Sequence, residues 1–278
     1  MLTRVSNAFH AAGKPVVVVI NSGSVIETAS WRDYADAILV AWQPGQEGGN
    51  SVADVLTGRQ SPSGKLTMTW PIAATDHPST ANFPQEPPYY NLSDKLYGGR
   101  MKGVNYTNHE EDIYVGYRYF DTFGKRVAYP FGYGLSYTSF AYSNAKVKKL
   151  KNDDIEVSVT VKNTGDRAGK EIVQVYVTAP STSSMEKPCK ELKAFAKTRS
   201  LQPGENQTLT MTIAHRDLAS FDETKSQWTV DAGRYDFLIG ASSADIRCSL
   251  SADVKAYTEP VSNVLQPQQQ LKVLRRNH

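Results

Sequence analysis

The chain has 278 residues, with 31 Lys and Arg against 28 Asp and Glu for a net charge of +3, and 40% of its residues are hydrophobic. That length holds about two domains with a sizeable core. The basic residues are scattered, which argues against a nucleic-acid footprint, and the longest apolar stretch, Val16–Ile20, is far short of the roughly 20 residues of a membrane helix.

Met1–His10 is amphipathic and lacks the continuous apolar core of a secretory signal; it reads as a helix ending at Gly13-Lys14. The compartment stays open, and a bacterial cytoplasm or periplasm would both fit. The β-branched run Pro15–Asn21 predicts a strand buried on both faces. Ile26–Asp36 suggests a short helical piece with Trp31 inward, and Ala37–Trp42 predicts a second buried strand. The glycine-rich turn Gln43–Asn50 then feeds a helix carrying Val52, Ala53, Val55 and Leu56, which makes half of a parallel α/β unit. Gly58 stops that helix, Ser61–Gly64 turns the chain, and Lys65–Trp70 predicts another strand ending at Pro71.

From Ala74 to Asp112 the composition turns to Pro, Asn, Tyr, Gly and His without a period, as in a long functional loop or linker. Asn91, Asn105 and Asn206 each begin a glycosylation triplet, a signal that carries weight only in a secreted context. Tyr114–Phe140 is crowded with aromatics: Tyr114–Asp121 reads as a short extended run, and Pro130–Tyr137 as glycine turns between packed rings. This stretch reads as the seam between an α/β part and an all-β part.

Beyond the seam, alternation at Ile155–Val161 and the runs Glu171–Val177, Leu192–Thr198, Gln207–Ile213, Trp228–Val230, Arg234–Gly240 and Ile246–Val254 give about seven strands. Their count and spacing predict a β-sandwich of immunoglobulin or fibronectin type, with Tyr176, Tyr235 and Phe237 inward. Cys189 and Cys248 both fall in this half; they are either two free thiols or one bridge, too few for a disulfide framework. The five histidines show no ligand spacing, so neither metal nor cofactor is expected.

The feature most like a site is the Gln43–Asn50 turn, at the carboxyl end of a strand where open α/β sheets place ligands. Glu47 there is the candidate substrate-binding residue; on the alternative reading it only stabilises the helix start. Glu110, Glu111, Asp112 and Asp121 are the other carboxylates near the seam. Glycoside hydrolysis needs two such groups flanking one bond, and nothing in the sequence places these together.

Several long motifs are familiar in their order. VVVVINSGSVIETASWRD, AILVAWQPGQEGGNSVADVLTGRQSPSGKLTMTWP, DIYVGYRYFD and YPFGYGLSYTSF resemble the C-terminal portion of glycoside hydrolase family 3 β-glucosidases. VKNTGDRAGKEIVQVYV, ELKAFAKT, LASFD and GRYDFLIGASS resemble the fibronectin type III-like domain that ends many bacterial members. The resemblance runs from about Lys14 to Ala252. It implies an α/β sandwich remnant over residues 1–73, a linker with the aromatic seam over 74–138, a fibronectin type III-like domain over 139–256 and a loose tail over 257–278. It also implies a retaining reaction in which an Asp on an upstream (β/α)8 barrel is the nucleophile and a Glu on a sandwich loop is the acid/base. Neither motif occurs here, so no catalytic residue is assigned to this chain, and Glu47 is not the family's acid/base. The expected partners are a β-glucoside or oligosaccharide substrate of the parent enzyme and the missing barrel with the upstream sandwich part, in cis or as a second chain. The rival expectation is a stand-alone interaction or carbohydrate-binding module, which a row of exposed coplanar aromatics on the fibronectin-like strands would favour.

Overall fold

The computed structural model describes residues 1–82, 107–265 and 270–276, which leaves the Asn91 and Asn105 triplets outside the described residues. Helix α1 (Leu2–Ala11) precedes strand β1 (Val17–Ile20), which pairs in parallel with β2 (Ala37–Val40), in the register Val17 to Ala37 through Ile20 to Val40. The Val16 N–H donates to Asp36 Oδ2 at 2.7 Å, and His10 Nε2 lies 2.8 Å from the same oxygen, so one carboxylate ties α1, β1 and β2 together. The backbone bond from Val16 chiefly holds the Asp36 carboxyl below its ordinary value, with His10 adding to it.

The expectation that β1 is covered on both faces is corrected. Ile20 is buried in a small core with Trp70 and Ala128, but Val17 and Val19 are 43% and 40% exposed. Alternation puts those two valines on the face that nothing among the described residues covers. Two further expectations are corrected nearby. Only Arg32–Tyr34 of the Ile26–Asp36 stretch is helical, as one 3₁₀ turn. Of Lys65–Trp70 only the end forms a strand, β3 (Trp70–Pro71), against β4 (Val127–Tyr129). Leu66 instead exchanges backbone bonds with the seam turn, donating to the Tyr133 carbonyl and accepting from the Gly132 N–H, each at 2.8 Å.

Helix α2 (Gly48–Leu56) follows the glycine turn. The extended run read at Tyr114–Asp121 is a helix from Tyr117 on, α3 (Tyr117–Thr122), begun by Gly116 at φ +58°. Packing outweighs the strand preference of the aromatics: on a helix, Phe120 becomes fully buried while Tyr117 meets Phe131 at 4.7 Å and Tyr176 at 5.8 Å between ring centroids.

The all-β half is a sandwich. One antiparallel sheet has the order β5-β6-β9, from β5 (Phe140–Lys149), β6 (Ile155–Asn163) and β9 (Asn206–Ile213). The other runs β13-β12-β7-β8, from β7 (Ile172–Thr178), β8 (Glu191–Lys197), β12 (Gly233–Gly240) and β13 (Ile246–Val254). A smaller sheet joins β10 (Ser220–Asp222), β11 (Gln227–Val230) and β14 (Tyr257–Pro260) in the order β10-β11-β14. Ile155, Val157, Val159 and Val161 face Val175, Tyr235, Phe237 and Ile239 in one core, all at most 2% exposed. Tyr235 and Phe237 are buried in that core as their strand phase predicts, whereas the expectation for Tyr176 is corrected: it lies on the other face of its sheet from Val175 and Val177 and is buried against Tyr117 of the seam. Strands β5, β10 and β14 were not expected. β14 lies within the stretch read as a loose tail, and it pairs with β11 from Gln227 opposite Pro260 to Val230 opposite Tyr257. Cys189 and Cys248 are both free.

Candidate functional site

The turn between β2 and α2 folds tightly because its residues allow it. Trp42 (φ +53°) and Gly45 (φ +70°) take left-handed backbone, and Gly48 sits so close to Pro44 that a Cβ there would lie 2.6 Å from the ring. Gly23, in the turn after β1, lies against the Gln43 side chain. The two turns therefore adjoin at the carboxyl ends of the two parallel strands, the position expected of a ligand site in an open α/β sheet. Glu47 is the residue before α2 and is exposed. It does not cap the helix backbone; it accepts a bond from Asn50 Nδ2 at 2.6 Å.

The seam carboxylates are engaged elsewhere. Asp121 pairs with Lys190 of the fibronectin-like half at 3.1 Å. Glu111 is buried and meets His109 Nδ1 at 3.1 Å. Asp112 pairs with Arg275 at 2.6 Å. Among the described residues, no hydrogen bond or ion pair joins Glu47 to Glu110, Glu111, Asp112 or Asp121. Asp112 and Asp121 tie remote parts of the chain together, Glu111 meets a near neighbour in sequence, and the Gln43–Asn50 turn is left as an open, acid-bearing surface at the strand ends.

The region best built for positioning is the joint behind that turn. Gln174 of β7 is 3% exposed, and its Nε2 donates to the Gly132 carbonyl at 3.1 Å and to the Ala241 carbonyl at 2.8 Å. Its Oε1 accepts the Tyr176 hydroxyl at 2.6 Å, so a buried amide is satisfied at both ends. Gly132 (φ +77°) leaves no room for a side chain: a Cβ would stand 2.0 Å from Gln174 Oε1. The Ser243 N–H donates to the Phe131 carbonyl at 2.9 Å, and Lys65 pairs with the buried Glu171 at 2.9 Å. The Tyr137 hydroxyl closes the joint by donating to the Val55 carbonyl of α2 at 2.9 Å. Rings continue this contact into the α/β part, with Tyr129 stacked on Tyr133 at 5.5 Å and edge-on to Trp70 at 6.3 Å. Gln174 was missed by sequence reasoning. It is a polar residue inside an apolar strand run, and that interruption was the available signal.

Residues 3–137 match the glycosyl hydrolase family 3 C-terminal domain, and residues 171–243 match the fibronectin type III-like domain. A beta-glucosidase of Rhizobium radiobacter is 40% identical over 91% of this chain, and an exo-alpha-(1->6)-L-arabinopyranosidase of Bifidobacterium longum is 39% identical over 91%. The solved structure of beta-glucosidase 3B from Thermotoga neapolitana in complex with glucose superposes on 94% of the chain with a TM-score of 0.82 and 47% identity. The chain spans only 28%, 31% and 34% of these three proteins. Two family domains in the expected order, with relatives matched across both, place this chain: it belongs to glycosyl hydrolase family 3, and it corresponds to the C-terminal portion of the family's β-glucosidase-type members.

Proposed function

We propose that this chain is the scaffold portion of a retaining β-glucosidase that removes terminal β-linked glucosyl residues, and that it carries neither the nucleophilic Asp nor the acid/base Glu. The observation that carries this reading is the coverage: relatives match nearly the whole chain, while the chain accounts for about a third of their length. The dispersal of its carboxylates supports the same reading. A retaining glycosidase needs two carboxyl groups about 5 Å apart, whereas Asp112 and Asp121 are neutralised by Arg275 and Lys190. The exposed valines of β1 suit a sheet face that the upstream sandwich part would cover. In this account the α/β part braces the loops of the active site, Glu47 borders it, and the fibronectin type III-like domain fixes the brace through Gln174 and Gly132. The experiment is turnover of an aryl β-glucoside by the purified chain. No hydrolysis above the uncatalysed rate is expected; activity that vanishes in Glu47→Gln, Glu110→Gln or Asp121→Asn would overturn the reading.

The rival reading, a carbohydrate-binding module, has one observation in its favour. Phe221 and Trp228 lie side by side at 5.5 Å and line an open groove of about 690 Å³ together with Glu223 and Asn263. The rings are inclined by 57° and form no coplanar row. Titration with cello-oligosaccharides, followed by tryptophan fluorescence, separates the two readings, since only the module predicts a saturable change lost in Trp228→Ala.

A further inference from the structure

The end of the described chain returns to the stretch that leads into the seam. The Leu274 N–H donates to the Glu110 carbonyl at 2.7 Å. Arg275 Nη1 donates to Asp112 Oδ2 at 2.6 Å, and its Nε lies 3.5 Å from Glu186 Oε2. The Arg276 N–H donates to Glu186 Oε1 at 2.6 Å, and the same oxygen accepts the Tyr114 hydroxyl at 2.5 Å. Glu186 belongs to the connection between β7 and β8. Three stretches remote in sequence thus meet at one carboxylate.

The chemistry favours this particular occupant. Tyr114 is fully buried, so its hydroxyl needs a partner, and burial together with Glu186 pushes its ionisation up. The Glu186 carboxylate is only 19% exposed, and Arg275 brings a guanidinium to it. Asp112 has left-handed backbone at φ +51°, unusual for a residue with a Cβ, and its carboxylate meets the same guanidinium. A forked, permanently charged group serves two carboxylates at once, as an ammonium would not.

We propose that Asp112, Tyr114 and Glu186 form an acidic cradle for the chain's own Leu274–Arg276 segment. Seated there, this C-terminal strap clamps the stretch before the seam to the fibronectin type III-like domain. Arg275 is 54% exposed, so salt weakens its two ion pairs, while the backbone donors of Leu274 and Arg276 remain. The strap therefore loosens with ionic strength without letting go.

Amide hydrogen exchange on the full chain tests this at Asp112 and Tyr114, whose N–H groups bond to the His109 and Glu111 carbonyls at 3.3 and 2.9 Å. Arg275→Glu is expected to speed exchange at these two amides at least five-fold and leave β6 and β12 unchanged. Arg275→Lys, whose ammonium cannot serve both carboxylates, should fall between the unaltered chain and Arg275→Glu, and 0.5 M salt should speed exchange in the unaltered chain but not in Arg275→Glu. Equal exchange in the unaltered chain and Arg275→Glu overturns the strap, as does a change of the same size in β6 and β12.

Discussion

Tyr235→Asp probes the phase of the strand on which the sandwich core depends. Tyr235 lies mid-strand in β12 at 2% exposure, and its hydroxyl donates to the Asp231 carbonyl at 3.0 Å. Burial, and then the nearby Asp231 charge, push that hydroxyl up to about 12, as expected of a ring kept from water. Removing a buried ring of this size costs about 3–5 kcal/mol. The new carboxylate would sit among Val175, Phe237 and Ile239, near an Asp231 already charged and held by Ser183 and Ser184. The loss should therefore reach at least about 4 kcal/mol, whereas Tyr235→Phe, which only removes a hydrogen bond, should cost about 1 kcal/mol. Urea unfolding of the full chain, followed by circular dichroism, measures both. An unchanged midpoint for Tyr235→Asp would mean that Arg234 and Asp236, not Tyr235, face the core.

Gly132→Ala should be the most damaging small substitution at the joint, because it meets Gln174 Oε1 and forces a left-handed φ. A loss of about 3 kcal/mol is expected from strain plus an unpaired buried amide, and a melting temperature within 1 °C of the unaltered chain would refute the bond network. A polypeptide of residues 139–264 should be more stable than one of 139–256, since the shorter cut removes β14 from its pairing with β11; equal urea midpoints would make that pairing idle. The Arg216 hydrogen bond, seconded by the Tyr257 hydroxyl, brings Glu259 down to about 2 from an ordinary 4.5. A carboxyl depressed by folding stabilises above its unfolded value and loses that contribution as pH falls through the folded one. Protection of the β14 amides, taken relative to their intrinsic exchange rates at each pH, should thus fall between pH 4.5 and 2, and Glu259→Gln should flatten that dependence.

The sequence was most informative where one face of a strand is buried. Ile155, Val157, Val159 and Val161 alternate with polar residues, and their burial follows the same period. β5 was hidden because it carries Lys146, Lys148 and Lys149 at a sheet edge and is broken by a bulge at Asn144, φ +51°. β14 contains Glu259 and Pro260, which read as loop until β11 is set beside them. At the seam, local preference pointed the wrong way: Tyr117 and Phe120 favour a strand in isolation, and only their rings' burial selects the helix. The position of Glu47 in its turn was legible from glycine and strand order. The partners of Asp112 and Asp121 were not, because a bond between residues 112 and 275 leaves no local pattern.

The central claim is that this chain scaffolds a β-glucosidase whose catalytic carboxylates lie elsewhere. Mixing tests it most directly. The purified chain is combined with a separately made polypeptide holding the (β/α)8 barrel and the upstream sandwich part, and complex mass and aryl β-glucoside hydrolysis are measured together. The account predicts that neither component hydrolyses the glucoside alone, that they form a complex, and that the complex does. Hydrolysis by this chain alone, or a rigid monomer with strongly protected β1 and β2 amides that forms no complex, would contradict it.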